Sequence, residues 1–379
     1  MARFLSLLIL ISWILFEKGF SQDSLQTGKK IIPLPEFSFN SDFGLKIAGE
    51  ALIYDYGDGS IEPFRNYSRY RISYSTIGAF SILASNDDVN AFNSDNRIFY
   101  YAFMGRNLSD YFFGDTDRVD YNEARYDTSE FYNFEMIRFD IGGLMRTAID
   151  PSVKNGLEFK RGVSLVYERP INQSDSKFIK SADIEGNEGA FLTLIEAGLI
   201  LDKRDSEFRP VRGFLIDVGI RYAPPILSTH HGIYNNLTAH GFAPILQSFI
   251  DISFATRISF QNSIGDRPYW MTPTIGGTGT LRGFIFRRFS SDNSISYSAE
   301  LRSWFLKIPK SSIELGGQIF VDGGRVFNNE NWDSLLIDHK FALGLGGVMS
   351  IFTPDFIMKA EIGFSEDGTG VYLGTGYSF

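Results

Sequence analysis

Residues 250–261 read I-D-I-S-F-A-T-R-I-S-F-Q, and they decide the fold class. Side chains alternate along a strand, so Ile250, Ile252, Phe254, Ile258 and Phe260 share one face. Asp251, Ser253, Arg257, Ser259 and Gln261 take the other. A second run, F-I-M-K-A-E-I-G-F from Phe356 to Phe364, sends Phe356, Met358, Ala360, Ile362 and Phe364 outward and Lys359 and Glu361 inward. In a soluble sheet sandwich the hidden face is a dry core, where unpaired charges are costly. In a barrel with a wet lumen and a lipid-facing exterior, the same alternation is ordinary.

Composition agrees. The 379 residues include 36 Phe, 18 Tyr and 37 Gly, yet mean hydropathy is only −0.07. Aromatic-rich, glycine-rich and of average hydropathy is the profile of a transmembrane β-barrel. The net charge of −9 argues against nucleic acid as a partner. No cysteine is present, which excludes disulfides, thiolate metal sites and a lipid-anchored amino terminus.

The chain opens with Arg3, an apolar run from Phe4 to Phe16, and Gly19-Phe20-Ser21. This is the pattern of a secretory signal peptide over residues 1–21. The apolar run falls short of the roughly 20 residues a spanning helix needs. Period-two runs then place strands near 35–40, 44–56, 66–75, 79–86, 96–106, 130–148, 157–170 and 190–203. Others follow near 212–223, 233–243, 248–262, 294–306, 312–322, 340–351, 355–364 and 370–379. The pattern gives sixteen, with fourteen or eighteen within its reach. The expected layout is a signal peptide (1–21), a short periplasmic segment (22–34) and an outer-membrane barrel (35–379). Residues 22–34 leave no room for a periplasmic domain.

The last residues, G-V-Y-L-G-T-G-Y-S-F, alternate to the end. They are expected to send Tyr377 and Phe379 toward lipid, with Gly374 spaced as in a carboxy-terminal signal for barrel insertion. A plain last strand bearing a girdle aromatic fits equally.

"GGTGTLRGF" (276–284) sets one arginine in a flexible stretch. A phosphate loop fails on spacing, because no third glycine or Lys-Ser/Thr pair closes it. A solvent-exposed arginine and a peg for a buried partner remain. Alternation favours the peg: Glu300 and Arg302 in S-Y-S-A-E-L-R-S-W-F, and Asp322 at the end of E-L-G-G-Q-I-F-V-D, all face the lumen. Two lumenal carboxylates on adjacent strands need a cation, which a guanidinium supplies bidentately.

"LRGF" (281–284) resembles the loop motif of the BamA/TamA superfamily of outer-membrane assembly and translocation barrels (bacterial surface antigen family). "FVDGGRVF" (320–327), "LDKRDSEFRPVRGF" (201–214) and "PEFSFNSDFGLKIAGE" (35–50) resemble other family segments in the same order. The resemblance implies a sixteen-stranded antiparallel barrel whose sixth extracellular loop folds into the lumen. It assigns Arg282, Gly283 and Phe284 to the loop lock, with Asp322 and Glu300 as lumenal acceptors. It implies a non-enzymatic role in inserting or translocating proteins, or lipids, through a weak seam between the first and last strands. The implied partners are outer-membrane lipids and lipopolysaccharide, nascent outer-membrane or secreted polypeptides, and a separate periplasmic protein. Typical members carry POTRA domains ahead of the barrel, which residues 22–34 cannot hold.

Rival readings are a gated or passive pore that shares only the fold, the barrel half of a split system, and a lipolytic enzyme. The last has no G-x-S-x-G support. His230-His231 and His240 show no carboxylate spacing of a metal site, so neither metal nor cofactor is expected. The acidic loop 107–130 reads as a solvated surface loop.

Overall fold

The computed structural model describes residues 27–40, 44–61, 64–92, 94, 96–114, 131–150, 152, 156–172, 174, 177–181, 184–308, 313–351 and 353–379. The expected signal peptide (1–21), residues 22–26 of the segment after it, and 115–130 of the acidic loop lie outside them.

Strands β1 (Lys29–Asn40), β2 (Gly44–Asp55), β3 (Asn66–Ser75), β4 (Phe80–Ala91), β5 (Asn96–Tyr111) and β6 (Asn133–Ala148) follow in order. They continue as β7 (Leu157–Ile171), β8 (Ala190–Asp202), β9 (Gly213–Ala223), β10 (Gly232–Gln247) and β11 (Asp251–Gly265). After the two-residue strands β12 (Thr274–Ile275) and β13 (Phe289–Ser290) come β14 (Asn293–Lys307) and β15 (Glu314–Phe327). The last are β16 (Lys340–Ile351), β17 (Thr353–Ser365) and β18 (Gly368–Thr375). Sixteen of them close an antiparallel barrel in which each strand pairs with its neighbour in sequence and β1 meets β18. The other two, β12 and β13, pair with each other inside the β11–β14 loop.

The alternation that identified the fold also orients it. Ile258, Ile319, Val321, Leu343 and Leu345 lie outward, each between 48% and 61% exposed. Leaving such side chains in water would forfeit about 1.5–3 kcal/mol each, so this band is a lipid surface. Ser253, Arg257, Glu300, Arg302, Gln318, Asp322 and Glu361 point inward and are buried. No helix among the described residues is long and apolar enough to cross a membrane; the strands do the crossing. The long connections (112–132, 172–189, 266–292 and 328–339) all leave one end, the extracellular one by the rule that outer-membrane barrels carry long loops outside and short turns in the periplasm. The opposite, periplasmic end carries links of ten residues or fewer, together with Lys29 and Thr375.

The barrel closes weakly. β1 pairs with β2 at every residue from Lys29 to Asn40, but with β18 only at Phe39↔Leu373 and Asn40↔Tyr372. Two prolines account for part of this. The β1–β2 ladder runs unbroken through Pro33 and Pro35, and a proline inside an intact ladder must turn its nitrogen away from it. Both therefore face the β18 edge and remove donors there. Extending the Phe39↔Leu373 register would set Pro35 opposite Tyr377 and Pro33 opposite Phe379.

Two sequence expectations are corrected here. The barrel begins at Lys29 rather than at residue 35, because Pro33 and Pro35 disguise a strand without ending it. At the other terminus, β18 stops at Thr375, and Tyr377 and Phe379 do not face lipid. Gly376 takes φ +74° and turns the chain into the lumen. There the Arg302 guanidinium lies 3.9 Å from the Tyr377 ring centroid and 4.9 Å from that of Phe379. Arg302 Nη2 donates to the Phe379 carbonyl oxygen (2.9 Å), and Arg257 stacks on the same ring at 5.1 Å. Lumenal cations and missing seam donors together outweigh the alternation that points these rings outward. Gly374 remains within β18, opposite Lys359.

Candidate functional site

The 266–292 loop folds down into the barrel, and the GGTGTLRGF stretch forms its tip. Gly276 and Gly277 adopt φ of +127° and +82°, a left-handed turn that side chains resist. Thr280 closes the turn on itself, its Oγ1 accepting from Gly276 N at 2.7 Å. Leu281 and Phe284 bury themselves against Ile275, Phe289, Val326 and Ala342, and the rings of Phe284 and Phe289 meet edge to face at 5.3 Å. This apolar anchor brings the next side chain to the wall.

Arg282 is that side chain, only 2% exposed. Its Nε and Nη2 donate to Asp322 Oδ2 and Oδ1, each at 2.8 Å, a two-pronged pair on β15. The backbone N of Arg282 donates to the same Oδ2 at 3.0 Å. Nη1 donates to Glu361 Oε1 on β17 at 2.6 Å and lies 2.8 Å from Glu300 Oε1 on β14. The Glu300 contact is a close ion pair without hydrogen-bond alignment. The guanidinium also stacks over Phe320 at 3.4 Å from the ring centroid.

Charge around the peg is nearly balanced. Arg302 pairs with Glu300 at 2.7 Å and Lys359 with Glu361 at 2.8 Å. Asp322 pairs with Arg282 alone among the described residues. Buried ion pairs persist only when geometry and further hydrogen bonds offset desolvation. Ser298 supplies one such bond to Asp322 Oδ1 (2.6 Å), and Gln318 another to Glu361 Oε1 (2.5 Å). Room for the cluster comes from β16, where Gly344 and Gly346 face inward. A Cβ at Gly344 would lie 2.2 Å from the Phe320 ring, and one at Gly346 would lie 3.0 Å from Glu361 Cγ.

Gly283 lets the loop backbone touch the wall. Its φ is +105°, and a Cβ there would sit 3.0 Å from the backbone of Gly363 and Phe364. Its N–H donates to Tyr372 Oη at 2.9 Å, and its carbonyl accepts from Ser365 Oγ at 2.9 Å. The tip therefore grips β14, β15, β17 and β18 together. The tucked carboxy-terminal residues join the same network, since Ser378 Oγ lies 3.4 Å from both Arg282 Nη1 and Glu361 Oε1.

Of the residues named from sequence, Arg282, Gly283, Phe284, Asp322 and Glu300 lie together, whereas Gly374 does not touch the cluster. Glu361, Tyr372 and Ser298 join them without having been singled out. Alternation already sent Glu361 inward; what was missing was the neighbourhood of β17, far from the loop in sequence. Nearer the extracellular mouth, the loop's Tyr269 and Trp270 pack on Phe112, Phe134 and Leu192. Tyr269 Oη donates to Glu168 Oε1 at 2.9 Å.

Residues 68–379 match the Omp85 superfamily domain. No curated protein matches the chain. Among solved structures, the chain is similar to CdiB from Escherichia coli, at 12% identity and a TM-score of 0.61, over 93% of this chain and 68% of that one. BamA from Haemophilus ducreyi lacking POTRA domains 1–3 gives 12% identity and 0.58, over 93% and 71%. CdiB from Acinetobacter baumannii gives 14% and 0.56, over 93% and 60%. The chain thus spans 60–71% of the length of these proteins, and identities this low speak to fold alone. The closed sixteen-stranded barrel, the inward loop and the match over residues 68–379 agree: the chain belongs to the Omp85 superfamily, a non-enzymatic family of outer-membrane transport and assembly barrels.

Proposed function

We propose that this barrel helps to insert or translocate polypeptides at the outer membrane by parting β1 from β18. The observation that carries this reading is the seam, paired at two positions where β1–β2 is paired along its whole length. Inside lipid every unpaired backbone group is costly, so a long seam would stay shut and a short one can exchange its partner. An incoming extended strand replaces the lost hydrogen bonds. Arg282, Gly283 and Phe284 act as the lock that keeps the far wall rigid during that exchange, with Asp322, Glu300 and Glu361 as acceptors. The partners in this reading are an extended polypeptide, the surrounding lipid and lipopolysaccharide, and a periplasmic protein that delivers substrate.

Depletion of the protein, followed by comparison of the outer-membrane proteome, tests the proposal. Selective loss of other barrels or of surface proteins is expected. An unchanged proteome, together with large steady channels in planar bilayers, would instead indicate a passive pore.

A further inference from the structure

Three extracellular connections meet on the rim: 172–189, 224–231 and the root of the lock loop at Asp266. Glu185, His230 and Asp266 each offer one ligand atom there, all within 4.8 Å of one another. His230 Nε2 lies 3.2 Å from Glu185 Oε2, and His231 Nδ1 lies 3.9 Å from Asp266 Oδ2. The loops are already packed side by side, since Tyr269 N donates to the Glu185 carbonyl at 2.9 Å.

Thr229 sets the orientation of the imidazole. Thr229 Oγ1 accepts from Phe191 N at 3.0 Å and lies 3.1 Å from the Phe191 carbonyl oxygen, which also accepts from Thr229 N at 2.8 Å. Thr229 Oγ1 is equally 3.1 Å from His230 Nδ1, so its hydroxyl holds the ring by a hydrogen bond on that side. The other ring nitrogen, Nε2, is thereby turned toward Glu185 Oε2, its hydrogen-bond partner at 3.2 Å. A divalent cation taking the place of the shared proton would have His230, Glu185 and Asp266 as its ligands, their ligand atoms lying within 4.8 Å of one another.

We propose that Glu185, His230 and Asp266 form a divalent-cation site of the zinc class, with Thr229 as the group that orients the imidazole. One imidazole and two carboxylates are a zinc-type donor set that leaves a fourth position for water or His231. Bonds of about 2.0–2.1 Å in a tetrahedron separate neighbouring ligand atoms by roughly 3.3 Å, close to the 3.2 Å between His230 Nε2 and Glu185 Oε2. A hydrogen-bonded second nitrogen is the usual companion of a metal-bound histidine. Bound metal would staple the root of the lock loop to the two neighbouring loops and narrow the mouth above the lumen. Local spacing in the sequence cannot reveal the site, because its ligands come from three separate loops.

The test is titration of the purified, folded barrel in detergent with Zn²⁺ by calorimetry, and with Co²⁺ by visible absorption. One Zn²⁺ per chain is expected, with a tetrahedral-type Co²⁺ band. Affinity should fall at least tenfold in His230→Ala and in Glu185→Gln, and about 10- to 100-fold in Thr229→Val. His339→Ala, at another rim loop, should bind as the wild type does. Absence of saturable Zn²⁺ binding, or undiminished binding in His230→Ala, overturns the proposal. Should a variant fail to fold, the Co²⁺ spectrum of the wild type decides: an octahedral, aquo-like spectrum also overturns it.

Discussion

Replacing Arg282 with alanine removes a guanidinium held by three carboxylates, and the structure sets the size of the effect. Breaking a buried ion pair by deleting one partner typically costs about 3–5 kcal/mol, because the other charge stays buried and uncompensated. Here Arg302 and Lys359 still neutralise Glu300 and Glu361, which leaves Asp322 as the unmatched charge. The penalty should therefore fall at the lower end, about 3 kcal/mol, or roughly a hundredfold in the docking equilibrium of the loop. The effect is local, because the barrel ladders do not pass through the loop. Hydrogen exchange of residues 276–288 in the purified protein reads it directly. Protection should drop about a hundredfold, while the heat-modifiable barrel persists and conductance in planar bilayers rises. Wild-type protection and conductance in Arg282→Ala would refute the lock.

Tyr372→Phe should strip the buried Gly283 N–H of its acceptor, at a cost of about 1–3 kcal/mol; loop exchange should then quicken without loss of the barrel, and no change would mean that the contact is incidental. Pro33→Ala combined with Pro35→Ala returns two N–H donors to the seam edge. It should lengthen β1–β18 pairing and slow amide exchange there, whereas an unchanged seam would show that the prolines do not limit it.

Much of this architecture is legible in the chain because charged and apolar residues alternate where no soluble core could tolerate it. Residues 250–261 alone separate lipid face from lumen face. The inward direction of Glu300, Asp322 and Glu361 follows from the same parity, and they lie on the lumenal face. What local pattern cannot supply is proximity between distant strands. Glu361 meets Arg282 only because the barrel curls β17 beside β15 through the glycine-lined β16. The two ends depart from the local pattern for opposite reasons. Pro33 and Pro35 look like breaks, yet they sit in a strand whose one edge needs no donors. Tyr377 and Phe379 keep the outward parity, yet Gly376 and the cations Arg257 and Arg302 draw them inward.

The opening of the seam is the central claim, and one disulfide tests it. Phe39 and Leu373 face each other across β1 and β18, at a separation where antiparallel pairs accept a disulfide. The chain has no cysteine of its own, so Phe39→Cys with Leu373→Cys creates a single cross-link. Cells carrying this variant should lose assembly of dependent outer-membrane or surface proteins when the bond is oxidised and regain it on reduction. Full assembly with the seam quantitatively cross-linked would contradict the account.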